Sequence, residues 1–155
     1  MATIVSAPPD LVVATSDGVG VRFIGIDLVA TSWDGKSGMR VNLAAVRGAE
    51  TGRRDSRFHA AREHWARELT EHGKDAAGPP PTMPAVPVFD RVTVTITDDV
   101  GTEYECVAGQ VAGDGTDWDA AWVYGPRPPG TATRLRLDFV LDGAPTGHVC
   151  LLSLR

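Results

Sequence analysis

Residues 92–107 read VTVTITDDVGTEYECV, and this stretch decides the fold class. Its first part places valine or isoleucine at every second position, between threonines. That two-residue period is typical of a β-strand with one buried face. The β-branched side chains also fit a pleated sheet, because their restricted rotamers lose little freedom there. We therefore predict a strand over residues 92–97.

The second part of this stretch predicts a turn and a returning strand. Asp98 begins the sequence DDVG, in which aspartate starts a tight turn and Gly101 accepts a positive φ without strain. After the turn, Tyr104 and Cys106 alternate with glutamates, so the apolar face resumes. We therefore expect residues 92–107 to form a β-hairpin.

Alternating apolar side chains predict further strands on both sides of this hairpin. Residues 20–30 and 39–46 are expected to pair as a second hairpin, with an irregularity at Gly25. Residues 148–154 are apolar on both faces, which indicates a strand inside a sheet. Short strands separated by turns at this spacing are typical of a sandwich. The remaining predicted strands are residues 11–14, 119–124 and 133–141.

The connecting segments are predicted from their proline, glycine and aspartate residues. Pro8 and Pro9 indicate a loose arm over residues 1–10, because proline blocks regular pairing. Residues 108–117 are interpreted as a glycine-rich acidic loop. Residues 142–147 are expected to turn the chain before the last strand.

Residues 48–87 differ from the rest and are predicted to be an insertion between two hairpins. Apolar side chains recur there at intervals of three and four residues, which predicts a helix over residues 56–73. Asp55 or Ser56 is expected to cap its start, and Gly73 stands where a left-handed C-terminal cap belongs. The apolar stripe, expected to cover the sheets, is Phe58, Ala61, Trp65 and Leu69, and a proline-rich linker follows over residues 78–87.

Length and composition narrow the class of protein. The chain has 155 residues, enough for a single domain with its own core. A net charge of -5 argues against a nucleic-acid binder. No apolar run approaches the ~20 residues of a membrane span, and the N-terminus lacks signal-peptide features. We therefore expect a cytoplasmic protein, in which Cys106 and Cys150 are buried thiols rather than a disulfide.

Residues 90–154 contain, in order, Asp98, Asp99, Gly101, Tyr104, the loop over residues 108–117, Trp122, Pro128, Pro129 and the leucine-rich residues 135–141. This order of features resembles a bacterial immunoglobulin-like domain of unknown function, of the kind found in actinobacterial proteins. Similar sandwiches occur in the extracellular parts of bacterial anti-sigma factors. The resemblance implies an immunoglobulin-like fold and no catalytic residues, and the helical insertion departs from it. Together with the strand count, it predicts an all-β, immunoglobulin-like antiparallel β-sandwich of seven to eight strands with one α-helical insertion.

The sequence does not predict an enzyme or a cofactor. It contains no G-x-S-x-G and no glycine-rich phosphate loop with lysine. On the predicted helix, His59 and His64 are five residues apart, whereas a zinc pair on a helix needs four. His72 lies two turns beyond His64, about 12 Å along the axis. We therefore predict no metal site on the helix.

Acidic loops leave one alternative open, an ion- or ligand-binding sensor. Hard cations such as Ca²⁺ bind several carboxylate and carbonyl oxygens on flexible loops. The loops over residues 98–103 and 113–119 carry such groups, but without the spacing of an EF-hand. The acidic residues concerned are Asp98, Asp99, Glu103, Glu105, Asp114, Asp117 and Asp119.

The leading hypothesis is a non-enzymatic protein-interaction or structural module of a bacterial assembly. Arginines concentrate in the insertion, whereas residues 92–130 carry seven acidic side chains and one arginine. This asymmetry favours a protein partner or self-association over nucleic acid. Free sheet edges and exposed loop tryptophans favour the same function. The predicted interface residues are Trp33, Arg53, Arg54, Arg57 and Trp118.

Overall fold

The computed structural model describes residues 3–6, 11–30, 37–113 and 117–154. This described part contains nine strands, one more than the upper end of the predicted range, because residues within the arm expected to be loose pair with the last strand. The elements are β1 (Thr3–Ser6), β2 (Val12–Ser16), β3 (Val19–Ala30), β4 (Ser37–Ala45), α1 (Ala49–Ala77), α2 (Val86–Phe89), β5 (Val92–Asp98), β6 (Glu105–Ala112), β7 (Asp119–Gly125), β8 (Arg134–Leu141) and β9 (Ala144–Ser153).

The strands form two antiparallel sheets. One has the order β1-β9-β8-β5 and the other has the order β2-β3-β4-β7-β6. The sheets share one core, in which the rings of Phe23 on β3 and Phe139 on β8 lie 5.5 Å apart, centroid to centroid. A hydrogen bond of 3.1 Å also joins Val94 on β5 to Tyr124 on β7. The predicted all-β class, with antiparallel strands and one long helix, is confirmed.

The core is built by the alternation that the sequence displays. On β5, Val92, Val94 and Ile96 are buried, while the threonines between them are exposed. Leu135 and Leu137 repeat this pattern on β8. Full burial of one such side chain stabilises the fold by about 1.5–3 kcal/mol. Hydrophobic burial on both sheets therefore fixes which face of each strand points inward.

The predicted hairpin over residues 92–107 is wrong, although both of its arms are strands. β5 pairs with β8, whereas β6 belongs to the other sheet and pairs with β7. The turn chemistry itself is confirmed, because Asp98 accepts hydrogen bonds from two backbone N–H groups and Gly101 has a φ of 79°. These residues therefore carry the chain from one sheet to the other instead of reversing it within a sheet.

Most other strand predictions are confirmed. β3 and β4 pair as the second hairpin, with a register shift next to Gly25. β9 lies between β1 and β8, as expected for an internal strand. Two boundaries are wrong. β6 continues to Ala112, within the segment predicted to be a loop, and β9 begins at Ala144 because a two-residue turn at Asp142 and Gly143 suffices.

The helix begins earlier and extends further than predicted. α1 starts at Ala49, and Gly48 with Thr51 caps it: the Thr51 hydroxyl accepts from the Gly48 N–H and donates to the Gly48 carbonyl, each at 2.9 Å. Asp55 and Ser56 are therefore not caps, because they lie inside the helix. Gly73 interrupts α1 with a φ of 83°, after which helical residues resume as far as Ala77.

Only the first position of the predicted apolar stripe is buried, and Phe58 is not part of the hydrophobic core that the two sheets share. Phe58 is buried, Ala61 is exposed, and Trp65 and Leu69 are half-buried. The Trp65 indole donates to the carbonyl of Gly78 at 3.0 Å, so it contacts the segment that follows the helix. The end of the predicted linker forms the short helix α2. None of the helices in the described ranges is both long and apolar enough to cross a membrane.

Candidate interaction surface

The start of the insertion is anchored to the sandwich by one buried carboxylate. Asp55 of α1 accepts a hydrogen bond from the indole N–H of Trp118 at 2.9 Å and one from Arg47 at 2.7 Å. The Arg47 guanidinium also lies 5.6 Å from the centroid of the Trp118 ring. Because a buried carboxylate is stable only with such donors, these three side chains lock the insertion to the loop before β7.

Trp118 is therefore not the exposed aromatic that the sequence analysis expected. Its side chain is only 1% exposed and belongs to the hydrophobic core, and Asp55 of α1 accepts its indole N–H. The expectation of exposure is wrong, and the ring offers no contact surface to a partner. Trp33, the other predicted aromatic, lies outside the described residues.

The three predicted arginines lie at the base of α1 and differ in their contacts. Arg53 and Arg54 both bind Glu50, and these hydrogen bonds lower the pKa of that carboxyl to about 2. Arg54 also reaches the turn between β2 and β3, where it donates to the Asp17 carbonyl at 2.7 Å. Arg57 is exposed and forms no ion pair with another described residue. Local ion pairing therefore occupies two of the three guanidinium groups.

The acidic turn after β5 is structural. One Asp98 oxygen accepts from the N–H groups of Val100 and Thr102, each at 3.0 Å, and the other accepts from the Tyr104 hydroxyl at 2.8 Å. Asp99 accepts hydrogen bonds from the backbone N–H and the hydroxyl of Thr133. These carboxylate oxygens are thus already coordinated by protein donors. Asp114 of the second acidic loop lies outside the described residues.

Among the residues that the structure describes, no group of three or more His, Cys, Asp or Glu side chains is arranged to hold a metal ion. These residues include His59, His64 and His72 of α1 and the described part of both acidic loops.

On one side of the sandwich, β5 and β6 are the edge strands of the two sheets. An edge strand directs alternate N–H and C=O groups away from its sheet, where another strand can pair with them. On β5 this edge is capped. The Val94 N–H donates to the Tyr124 hydroxyl at 3.1 Å, and Tyr124 comes from the opposite sheet. The cap occupies a donor in the middle of β5.

The edge of β6 differs from that of β5. Every residue from Glu105 to Gln110 is exposed except Ala108, which is half-buried. Val107 is 61% exposed, the highest value among the exposed large hydrophobic residues of the described part. It lies at a register shift between Cys106 and Ala108, where β6 bulges relative to β7. We call residues 105–110 the open edge.

A close contact fixes the position of this edge. Gly109 pairs with Trp122 of β7, and the indole ring lies over the glycine so closely that an added Cβ would meet ring carbons at 2.4 Å. Beyond the open edge, α2 packs near the end of β6, where Val111 and Ala112 are half-buried. The open edge is therefore a short surface that ends where α2 packs near β6.

The sequence analysis missed the open edge because it paired the two arms of the supposed hairpin. In that arrangement β5 would have covered β6. The available signal was the run CVAGQVA at residues 106–112, which contains neither proline nor a charged residue, the usual protections of an exposed edge.

Comparison of the chain with protein-family models, with curated proteins and with solved structures gave no match.

Proposed function

We propose that this chain is a non-enzymatic protein-interaction module that binds an extended segment of another protein along the open edge, residues 105–110. The observation that carries this proposal is the exposure of β6, with Val107 61% exposed, next to an edge on β5 that Tyr124 caps. In such binding, the added strand pairs with the free N–H and C=O groups, and its alternate side chains contact the neighbouring strand.

We also propose that the sandwich is immunoglobulin-like, as the sequence resemblance implies. The support is strand order: β3-β4-β7-β6 and β5-β8-β9 follow the order ABED and CFG of a constant-type immunoglobulin domain. β2 and β1 are then additional strands, and the helical insertion occupies the connection between B and C. Cys106 and Cys150 are free and lie on β6 and β9, so they do not form the disulfide of antibody domains, which joins B to F.

An accessory role in a bacterial assembly inside the cytoplasm completes the proposal. Both thiols are free, which suits a reducing compartment. Cys150 is buried, whereas Cys106 is exposed, contrary to the expectation that both thiols are buried. Partial desolvation still raises the pKa of both thiols, and a thiol with a raised pKa is a poor nucleophile at neutral pH. This chemistry supports a binding role rather than cysteine-based catalysis.

The test uses a matched pair of edge substitutions. Val107→Lys places a charge on the open edge, and Thr95→Lys places the same charge on the exposed face of β5. The probe is an extended peptide of alternating threonine and valine, and the measurements are its affinity and the amide hydrogen exchange of the protein. We expect slower exchange along residues 105–110 on binding, and at least about tenfold weaker binding only in the Val107 variant. Protection confined to β5, or no protection at either edge, would overturn the proposal.

A further inference from the structure

The charges around the open edge are arranged at its two ends. Residues 106–112 carry no charged side chain. Glu103 and Glu105 are exposed at the start of β6, and Asp117 and Asp119 are exposed beyond its other end. Asp119 is the register partner of Ala112, the last residue of β6. An uncharged centre thus lies between two acidic ends.

The four carboxylates differ in the cations that lie near them. None of them forms an ion pair with another residue in the described ranges. Arg127 lies two positions after Gly125, the register partner of Glu105. At the other end, Asp117 and Asp119 share a surface depression with Arg22, Arg40 and Arg47. Arg40 pairs with Asp27, and Arg47 pairs with the buried carboxylate of Asp55. All four carboxylates are therefore exposed and outside these ion pairs, where a bound strand would meet them.

A second copy of this chain fits the edge poorly. In an antiparallel pair of two β6 strands, Glu105 of one copy would lie opposite the last residues of β6 in the other copy. The last of these, Ala112, is the register partner of Asp119 on β7. Because the arrangement is symmetric, carboxylates would meet carboxylates at both ends. Like charges brought together in this way oppose pairing.

We infer that the open edge takes an extended, uncharged segment of a different protein with lysine or arginine at both ends of that segment. This inference rests on the proposed strand addition and names its partner chemistry. Backbone hydrogen bonds and small or β-branched side chains occupy the centre, and the cations pair with the carboxylates at each end. Because all four carboxylates are exposed, salt weakens the recognition, with a screening length of about 8 Å at physiological ionic strength.

The experiment compares two capped peptides that share an alternating threonine–valine centre. One carries two lysines at each end, and the other carries two glutamates at each end. A third peptide, with lysine ends and a proline in the centre, controls for charge attraction without strand pairing. Affinity is measured at low and at physiological salt, and amide exchange locates the bound peptide on β6. We expect the lysine peptide to bind about tenfold more tightly than the glutamate peptide, with the difference shrinking in salt.

A charge reversal in the protein makes the test specific to this site. In the double variant Glu105→Lys with Asp119→Lys, we expect the preference to invert toward the glutamate peptide. The matched control is Glu63→Lys with Glu71→Lys on the exposed part of α1, which changes the net charge equally and should leave the preference unchanged. Size-exclusion chromatography of the unmodified protein is expected to give a monomer.

The outcomes separate this inference from the proposed function. Equal binding of the lysine and glutamate peptides at residues 105–110 would overturn the charge preference and leave strand addition in place. Absence of binding by every peptide would overturn strand addition itself. Equal binding of the proline peptide, or a dimer joined through β6, would also overturn the inference.

Discussion

β5 and β6 lie on the same side of the sandwich, yet their free edges differ in one decisive contact. On β5, the hydroxyl of Tyr124 accepts the Val94 N–H from across the core. On β6, the side chain that comes closest is Trp122, which covers Gly109 without binding the outer edge of the strand. One buried hydroxyl thus occupies a donor in the middle of one edge, whereas the described residues show no such bond from the opposite sheet to β6.

This difference follows from the order of the strands. β7 lies inside its sheet, next to β6, so its inward side chains reach across the core to the opposite sheet, where β5 is the edge. Tyr124 can therefore protect β5 but not the strand that pairs directly beside it.

The largest expected effect comes from adding a side-chain carbon at Gly109, where the Trp122 ring leaves no room for it. In Gly109→Ala the new Cβ would lie 2.4 Å from ring carbons, so the indole or β6 must move. We expect a loss of about 1–3 kcal/mol in the free energy of unfolding, measured with urea, together with weaker peptide binding at the open edge. Gly130→Ala is the control, since its Cβ would meet nothing within 4 Å.

A loss of stability in Gly109→Ala no larger than in Gly130→Ala would show that Trp122 does not fix the edge. The contrast with β5 would then rest on the Tyr124 hydroxyl alone.

The second effect comes from opening the capped edge. Tyr124→Phe keeps the buried ring and removes the acceptor of the Val94 N–H, leaving that donor unsatisfied. We expect a loss of about 1–2 kcal/mol in the free energy of unfolding. Amide exchange should then show that peptide probes protect β5 as well as β6. Tyr104→Phe, which removes a hydroxyl bound to Asp98, is the control for hydroxyl loss away from the edge.

Peptide protection that remains confined to β6 in Tyr124→Phe would contradict the proposed role of the cap. The hydroxyl would then serve stability without deciding which edge is open.

The sequence predicts where strands form better than it predicts which strands pair with each other. Alternation at residues 92–97 reveals which face is buried, because burial acts on each strand separately. It contains no information on which strand lies alongside, so a tight turn at Asp98 favoured the nearest partner. In the structure that turn carries the chain to the other sheet, and β5 pairs with a strand about forty residues later.

The sequence analysis missed the candidate interaction surface for the same reason. Trp118 looked exposed because it lies in a loop, yet its partner Asp55 is 63 positions away in the sequence. The open edge looked covered because β6 was paired with β5. Both errors concern contacts between distant segments, which local periodicity cannot reveal, whereas Gly25, Gly101 and the internal strand β9 follow from local chemistry and are confirmed.

A smaller effect is expected at alkaline pH. Burial raises the pKa of Tyr124 to about 12, so the folded state holds this proton more tightly than the unfolded state, whose pKa is about 10. The resulting stability is present below pH 10 and is lost as the pH rises toward 12. We expect urea midpoints to fall over this range, and to fall less in Tyr124→Phe. Tyr104, with its pKa also raised to about 12, should supply the remaining decrease.

The smallest effect concerns the turn that carries the chain from β5 to β6. Hydrogen bonds from Thr133 lower the pKa of Asp99 to about 2, so this carboxyl stabilises the folded state above the unfolded pKa of about 3.9. That stability is lost as the pH falls from about 4 to 2. We expect urea midpoints of the unmodified protein to decrease over this window and those of Asp99→Asn to decrease less. Asp75→Asn, at an exposed site on α1, should change neither the midpoint nor its pH dependence. An identical acid response in all three proteins would mean that Asp99 does not hold the turn, and the contrast between the two edges would have to be explained without this connection.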